Sequence, residues 1–200
     1  MPVDTGVETV RNFAGQQCLA VSVAVTVGDA QQHFRDAITD VAGSLRVGPG
    51  LAGGVQMGPV ISRESKARIE KCIAQDAGED ATAVLDGRDA HIADGENGNF
   101  LRPTILDGLP PTSSLTTAEI FGPVLSLIHA RGLDEAIQII ASNPFGNAAS
   151  IFTSSGAAAR RFRYEVPAGN IGVSIGVAAP MAYFPFSGWK DSFLGVPRQF

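Results

Sequence analysis

The apolar positions of this chain recur in two rhythms that alternate from one end to the other. Residues 19–27, LAVSVAVTV, form a β-rich run, and Phe34, Ala37, Ile38, Val41 and Leu45 then recur at the 3,4 spacing of a helix packed on one face over residues 30–45. Gly48-Pro49-Gly50 and Gly53-Gly54 break the chain into a loop. A second helix is expected over residues 62–75, capped by Ser62, with Ala67, Ile69, Cys72 and Ile73 toward the core. Residues 81–85 read as a strand and residues 86–99, polar and glycine-punctuated, as an exposed excursion. Residues 100–106 and 124–129 read as strands bracketing a turn-rich segment at 110–123. Leu133, Ala136, Ile137 and Ile140 mark a helix with Asp134 and Glu135 at its positive end, stopped by Asn143-Pro144-Phe145-Gly146-Asn147. A strand at 150–153, a helix at 156–165 and a strand at 170–175 complete the alternation.

Strand and helix in alternation predict an α/β fold: an open, twisted, largely parallel sheet flanked by helices. Residues 178–200 differ, being irregular, proline-rich and aromatic, with Tyr183, Phe184, Phe186, Trp189, Phe193 and Phe200. That many rings on an irregular segment are expected to lie against the domain or against a partner surface.

Composition narrows the function classes. The 200 residues carry a formal charge of −5 and 44% apolar residues, fitting one globular domain, and the cations are scattered, which argues against nucleic acid or an anionic membrane as partner. No secretory signal is visible in MPVDTGVETVRN, and the longest apolar run is far short of the roughly 20 residues that cross a bilayer, so a cytoplasmic protein is expected. The two cysteines, without CxxC spacing or a histidine at ligand spacing, argue against a disulfide framework and a zinc site.

Four features could carry chemistry. Residues 48–53 satisfy GxGxxG, but a dinucleotide fingerprint needs a strand before it and a helix N-terminus after it, and here a helix precedes. Cys72 sits on its helix's apolar stripe and reads as a core residue. Cys18, in NFAGQQCLAVSVAV, follows a loop in which Gly15 lets the backbone turn closely and Gln16 and Gln17 keep the approach polar. It is either an apolar residue entering a strand or a nucleophile presented at a loop-to-strand junction. A Cys/His hydrolase would require His33, His91 or His129 to reach it. Finally, in TTAEIFGPV, Glu119 could hold a ribose hydroxyl and Phe121 brace a flat ring, or the segment could be plain turn chemistry.

Taken together, these stretches resemble the aldehyde dehydrogenase superfamily. AGQQC is similar to its nucleophile segment, MGPVIS to the loop after the following helix, FLRPTIL to its Pro-Thr strand and AEIFGPVLSL to its Glu-Ile-Phe-Gly-Pro-Val motif. DEAIQIIASNPFGNAASIFTSS resembles the helix, turn and strand that follow; CLAVSVAV, NPFGN and YFPFSGWKDSF look most like the CoA-acylating methylmalonate-semialdehyde dehydrogenases. The resemblance implies an NAD-dependent enzyme in which Cys18 attacks a semialdehyde and the resulting thioester passes to CoA with loss of carbon dioxide. It also implies that Glu119 and Phe121 bind the nicotinamide end of NAD and that the Cys18 N–H serves as an oxyanion donor.

Three departures shape the expectation. The family places a cofactor domain before the cysteine, so residues 1–177 are expected to be an incomplete catalytic domain, weakly active or inactive alone, and residues 178–200 a shortened tail. Gln17 stands where this branch usually carries an arginine able to bind the substrate carboxylate as a bidentate pair, and Ser174 where asparagine is usual. The alternative is a non-enzymatic remnant or interaction subunit that pairs with a full-length relative; a homo-oligomer is the other expected assembly.

Overall fold

The computed structural model describes residues 12–76, 81–89, 91–92, 95, 97–181, 183–184 and 186–192. The predicted tail residues Phe193 and Phe200, and the opening stretch through Arg11, lie outside the described residues.

Four strands build the main sheet: β1 (Val23–Val27), β2 (Thr82–Leu85), β3 (Thr104–Asp107) and β4 (Val124–Ala130), in the order β1-β4-β3-β2. β1 and β3 both run parallel to β4, and β2 pairs antiparallel to β3 with an irregularity between Ala83 and Leu85. The largely parallel α/β sheet expected from the alternation is present, with an antiparallel edge. The central strand explains the order. β4 reads VLSLIHA and is buried along nearly its whole length, as a strand covered on both faces must be.

The pleat of β3 and β4 sorts their side chains into two cores. Ile105, Leu125 and Leu127 pack with Ile38, Ala42 and Leu45 on and just beyond α1 (Ala30–Gly43). Leu106, Val124 and Ile128 pack with Ile69 and Ile73 of α2 (Arg63–Asp76). Adjacent residues of a strand point to opposite faces, so one apolar run supplies both layers.

The expected helix at 133–140 is α3 (Leu133–Ser142), and α4 (Gly156–Glu165) has the predicted bounds, opened by Ser155, whose hydroxyl accepts from the Ala158 N–H at 3.3 Å. These two helices close a third core around Ile137, Phe162, Val166 and Ala168. That core lies against a parallel pair, β6 (Ala148–Ile151) with β7 (Asn170–Val173). A short antiparallel pair, β5 (Phe145–Gly146) with β8 (Trp189–Lys190), joins the Asn143–Asn147 turn to the aromatic segment.

Several boundaries differ from the periodic reading. The first strand begins at Val23, because Gln17–Ala20 form a tight turn closed by the Ala20 N–H to the Gln17 carbonyl at 3.0 Å. The excursion expected to be exposed at 86–99 is tied down at both ends. Gly87 donates to the Thr104 hydroxyl and accepts from the Arg102 N–H, while Ile92 and Phe100 are buried. The aromatic segment is only partly laid against the domain: Tyr183, Phe184, Phe186 and Trp189 are each more than half exposed.

Candidate active site

Four loops that are far apart in sequence meet at the N-terminal ends of the paired strands β1 and β4. The first carries Cys18. It begins with a 3-10 turn at Asn12–Gly15 and places Ala14 and Gly15 in the left-handed region, at φ +52° and +72°. Gly15 is buried with its α-carbon against the second loop: a β-carbon there would stand 2.1 Å from the Gly122 carbonyl oxygen. Only glycine satisfies both the positive φ and that approach. The loop that carries Cys18 is therefore packed, at Gly15, against the Gly122-Pro123 end of Glu119-Ile120-Phe121-Gly122-Pro123.

That second loop is shaped from α2. The Arg68 guanidinium donates to the carbonyls of Glu119 (3.4 Å) and Ile120 (2.5 Å), and Ile69 leaves no room for a side chain at Gly122. Ile120 is buried while Phe121, at φ +50°, turns its ring outward, 40% exposed. The Glu119 side chain is also exposed. The loop thus buries its aliphatic residue and presents a carboxylate and a ring face.

The third loop, residues 57–62, anchors on Gln16. The Gln16 side-chain carbonyl accepts from the Ile61 N–H at 2.9 Å, and its amide donates to the Ser65 hydroxyl in the first turn of α2 at 3.3 Å. Ser62 caps that turn, accepting from the Ser65 N–H at 3.1 Å, as its sequence position predicts. The fourth loop is the Asn143–Asn147 turn. The Asn143 amide donates to the Thr116 carbonyl at 2.8 Å, and the Asn147 amide reaches the backbone carbonyl of Cys18 at 3.3 Å.

Cys18 itself is exposed, with buried Leu19 pinning the chain immediately after it, and Gln17 is exposed beside it. Cys18 is thus an exposed residue rather than one packed in the core. Cys72 is half-buried against the core, as its helical position predicts.

No histidine joins the cluster through a hydrogen bond among the described residues. His129 is held on both ring nitrogens, Nδ1 2.6 Å from the Thr26 hydroxyl and Nε2 2.7 Å from Asp107, whose other oxygen pairs with Arg35 at 3.4 Å. Thr26 and His129 are register partners near the C-terminal ends of β1 and β4, the opposite ends from Cys18. His33 is exposed on α1, where a solvated face was expected. His91 is exposed too.

Two other sequence features fall outside the cluster. The GxGxxG match lies between α1 and α2 in an excursion closed by the Val47–Met57 bridge, with no strand leading into it. It lacks the strand-to-helix turn that brings a pyrophosphate to a helix N-terminus. A cleft of about 410 Å³ between the end of α1 and the Leu85–Asp89 region, floored by Arg102 and Pro103, contains none of the four loops. Among the described residues no group of acidic, histidine and cysteine side chains has the arrangement of a metal site, and no helix is long and apolar enough to cross a membrane.

Sequence reasoning singled out Cys18, Gln17, Glu119 and Phe121; it did not single out Asn147 as a contact of the cysteine backbone, or Arg68 as the brace of the Glu119 loop. The Asn-Pro-Phe-Gly-Asn run signals a turn, but nothing local says which distant carbonyl its last side chain meets.

Similarity to known proteins extends over nearly the whole chain. A model of the aldehyde dehydrogenase family matches residues 2–199. Malonate-semialdehyde dehydrogenase 2 of Geobacillus kaustophilus is 45% identical over 183 residues, covering 91% of this chain and 37% of the relative. The mitochondrial acylating methylmalonate-semialdehyde dehydrogenase of Arabidopsis thaliana is also 45% identical, over 91% of this chain and 30% of the relative. A crystal structure described as a methylmalonate-semialdehyde dehydrogenase from Sinorhizobium meliloti complexed with NAD superposes with a TM-score of 0.93 at 36% identity, over 96% of this chain and 40% of that one. The chain thus spans well under half the length of these relatives. Its sequence match and its fold agree, and the chain belongs to the aldehyde dehydrogenase family.

Proposed function

We propose that this chain provides the thiol-bearing part of an NAD-dependent, CoA-acylating malonate- or methylmalonate-semialdehyde dehydrogenase. The observation that carries the reading is the apposition made by Gly15: the loop that carries the exposed Cys18 packs against the loop that carries an exposed carboxylate and an exposed ring. The reading is supported by similar proteins named a malonate-semialdehyde dehydrogenase and an acylating methylmalonate-semialdehyde dehydrogenase.

In this reading the Cys18 sulfur attacks the aldehyde carbon, forming the C–S bond, while the carbonyl oxygen becomes an alkoxide that the Cys18 N–H receives as a hydrogen-bond acceptor. Glu119 and Phe121 fit one end of a dinucleotide: an exposed carboxylate accepts from vicinal ribose hydroxyls, and a ring face packs on a flat heterocycle. NAD, when bound, supplies the acceptor for the hydride that the aldehyde carbon loses. The thioester left on Cys18 is then open to attack by the thiol of CoA, whose sulfur replaces the Cys18 sulfur on the acyl carbon. A substrate carboxylate β to that carbonyl leaves as carbon dioxide, its electron pair held as the thioester enolate until a proton arrives. Gln17 is the side chain next to the reacting sulfur and the candidate for reading that carboxylate. Its neutral amide can donate one hydrogen bond but cannot form the bidentate ion pair of an arginine.

The first covalent step does not need the dinucleotide, so it can be tested alone. Excess malonate semialdehyde is expected to slow iodoacetamide alkylation of Cys18, followed by peptide mass mapping, more than it protects a short peptide of the same local sequence. Equal protection in the chain and the peptide would refute the presented-nucleophile reading.

A further inference from the structure

We propose that Asn147 is a positioning residue for Cys18, fixing the peptide plane that follows the sulfur-bearing residue; the proposal rests on Cys18 being the nucleophile. The two peptide planes that flank a residue set its φ and ψ, and with them the direction of its Cα–Cβ bond and of its own N–H. At Cys18 each plane is held by a separate hydrogen bond. The preceding plane is held through the Gln17 carbonyl, which accepts from the Ala20 N–H at 3.0 Å. The following plane is held through the Cys18 carbonyl, which accepts from the Asn147 amide at 3.3 Å.

The first bond is local and forms whenever the turn forms. The second comes from 129 residues away, and its donor stands on a backbone that is itself fixed. The Asn147 carbonyl accepts both the backbone N–H of Asn170 at 3.0 Å and its side-chain amide at 3.2 Å. Asn170 is 9% exposed, and the same amide reaches the Ser187 carbonyl at 3.1 Å, in the stretch that leads into β8. Gly146 and Gly169 add a further backbone bond of 2.9 Å beside it. The direction of the Cys18 thiol and N–H is thus tied, through Asn147 and Asn170, to the packing of β6, β7 and the aromatic segment.

Two reagents separate positioning from mere access to the sulfur. Iodoacetamide alkylates the thiolate by direct displacement and builds no oxyanion. With p-nitrophenyl acetate the sulfur attacks the acetyl carbon, the carbonyl oxygen passes through an oxyanion that needs the Cys18 N–H, and p-nitrophenolate leaves with the electron pair of the broken C–O bond; the thiol proton goes to water. The ratio of Cys18 acetylation to Cys18 alkylation, read by peptide mass mapping on the full 200-residue chain, therefore cancels thiolate fraction and access and reports the oxyanion donor.

Asn147→Asp keeps the shape and removes the donor, and Asn147→Leu removes the polar group altogether. Both are expected to lower the ratio about tenfold, a part of what the loss of a whole oxyanion donor costs, and Asn147→Gln, with the amide on a longer arm, is expected to recover part of it. A general loosening of the fold would raise alkylation of Cys72 and lower the melting temperature without moving the Cys18 ratio. An unchanged ratio in Asn147→Asp and Asn147→Leu overturns the positioning role while leaving the nucleophile in place. Acetylation of Cys18 in the unaltered chain no faster than in a short peptide overturns the nucleophile reading and this proposal with it.

Discussion

Gln17 and Cys18 are neighbours in the chain and both exposed, and the proposed function divides the chemistry between them. The thiol can attack any accessible aldehyde, so selection among aldehydes falls to the side chain beside it. Gln17 is neutral, and an anionic reagent approaching Cys18 gains no ion pair from it. Replacing it with arginine adds a charge within reach of the reacting sulfur, at a site where the partner's charge is only partly screened. Gln17→Arg is expected to raise the rate of Cys18 alkylation by iodoacetate relative to iodoacetamide by about fivefold, roughly 1 kcal/mol of added attraction, with the advantage shrinking in 1 M salt. An unchanged ratio would place the Gln17 side chain away from the approach to the thiol.

At the scale of elements, the site is a matter of loops that lean on one another. Gly15 sits against the Gly122 carbonyl, Gly122 sits against Ile69 of α2, and Arg68 of the same helix holds the carbonyls between. α2 thus sets the separation between the thiol loop and the Glu119 loop. A methyl group at Gly15 meets backbone rather than the end of a flexible side chain and must also adopt a positive φ. Gly15→Ala is expected to destabilise the chain by about 2 kcal/mol or more, measured as a lower urea midpoint, and to raise the rate at which Arg68 and its surroundings become accessible to hydrogen exchange. An unshifted midpoint would mean that the two loops do not meet in solution. The elements themselves were largely legible in the residues. α4 has its expected bounds because a serine cap and a polar helix with one apolar stripe signal both ends, and Ser62 caps α2 as read. Strand starts were less legible: residues 19–22 have strand composition, and the Gln17–Ala20 turn that precedes the strand closes through backbone groups.

At the scale of the molecule, Glu119 and Phe121 are exposed on the loop that Gly15 packs against, and under the proposed function they address one end of a dinucleotide. An extended dinucleotide needs contacts along its pyrophosphate and adenosine as well, and the one glycine-rich match in the chain stands in a context unsuited to a phosphate. Titration of NAD into the 200-residue chain is therefore expected to show no micromolar binding by calorimetry; a micromolar dissociation constant would require a second grip elsewhere on these residues. The exposed rings of Tyr183, Phe184, Phe186 and Trp189 form a surface of the kind that proteins cover by association.

The residues by themselves determined the alternation of strands and helices, the family resemblance and the identity of the candidate nucleophile. Each of these is written in local order, as periodicity, capping or a contiguous motif. Only the tertiary structure decided that Cys18 is exposed, that His129 is committed to Thr26 and Asp107, and that Asn147 reaches the Cys18 carbonyl. Those facts depend on which distant loops meet. That meeting is set by the parallel pairing of β1 with β4 and by the close approach at Gly15, where strand register and the absence of a β-carbon act together.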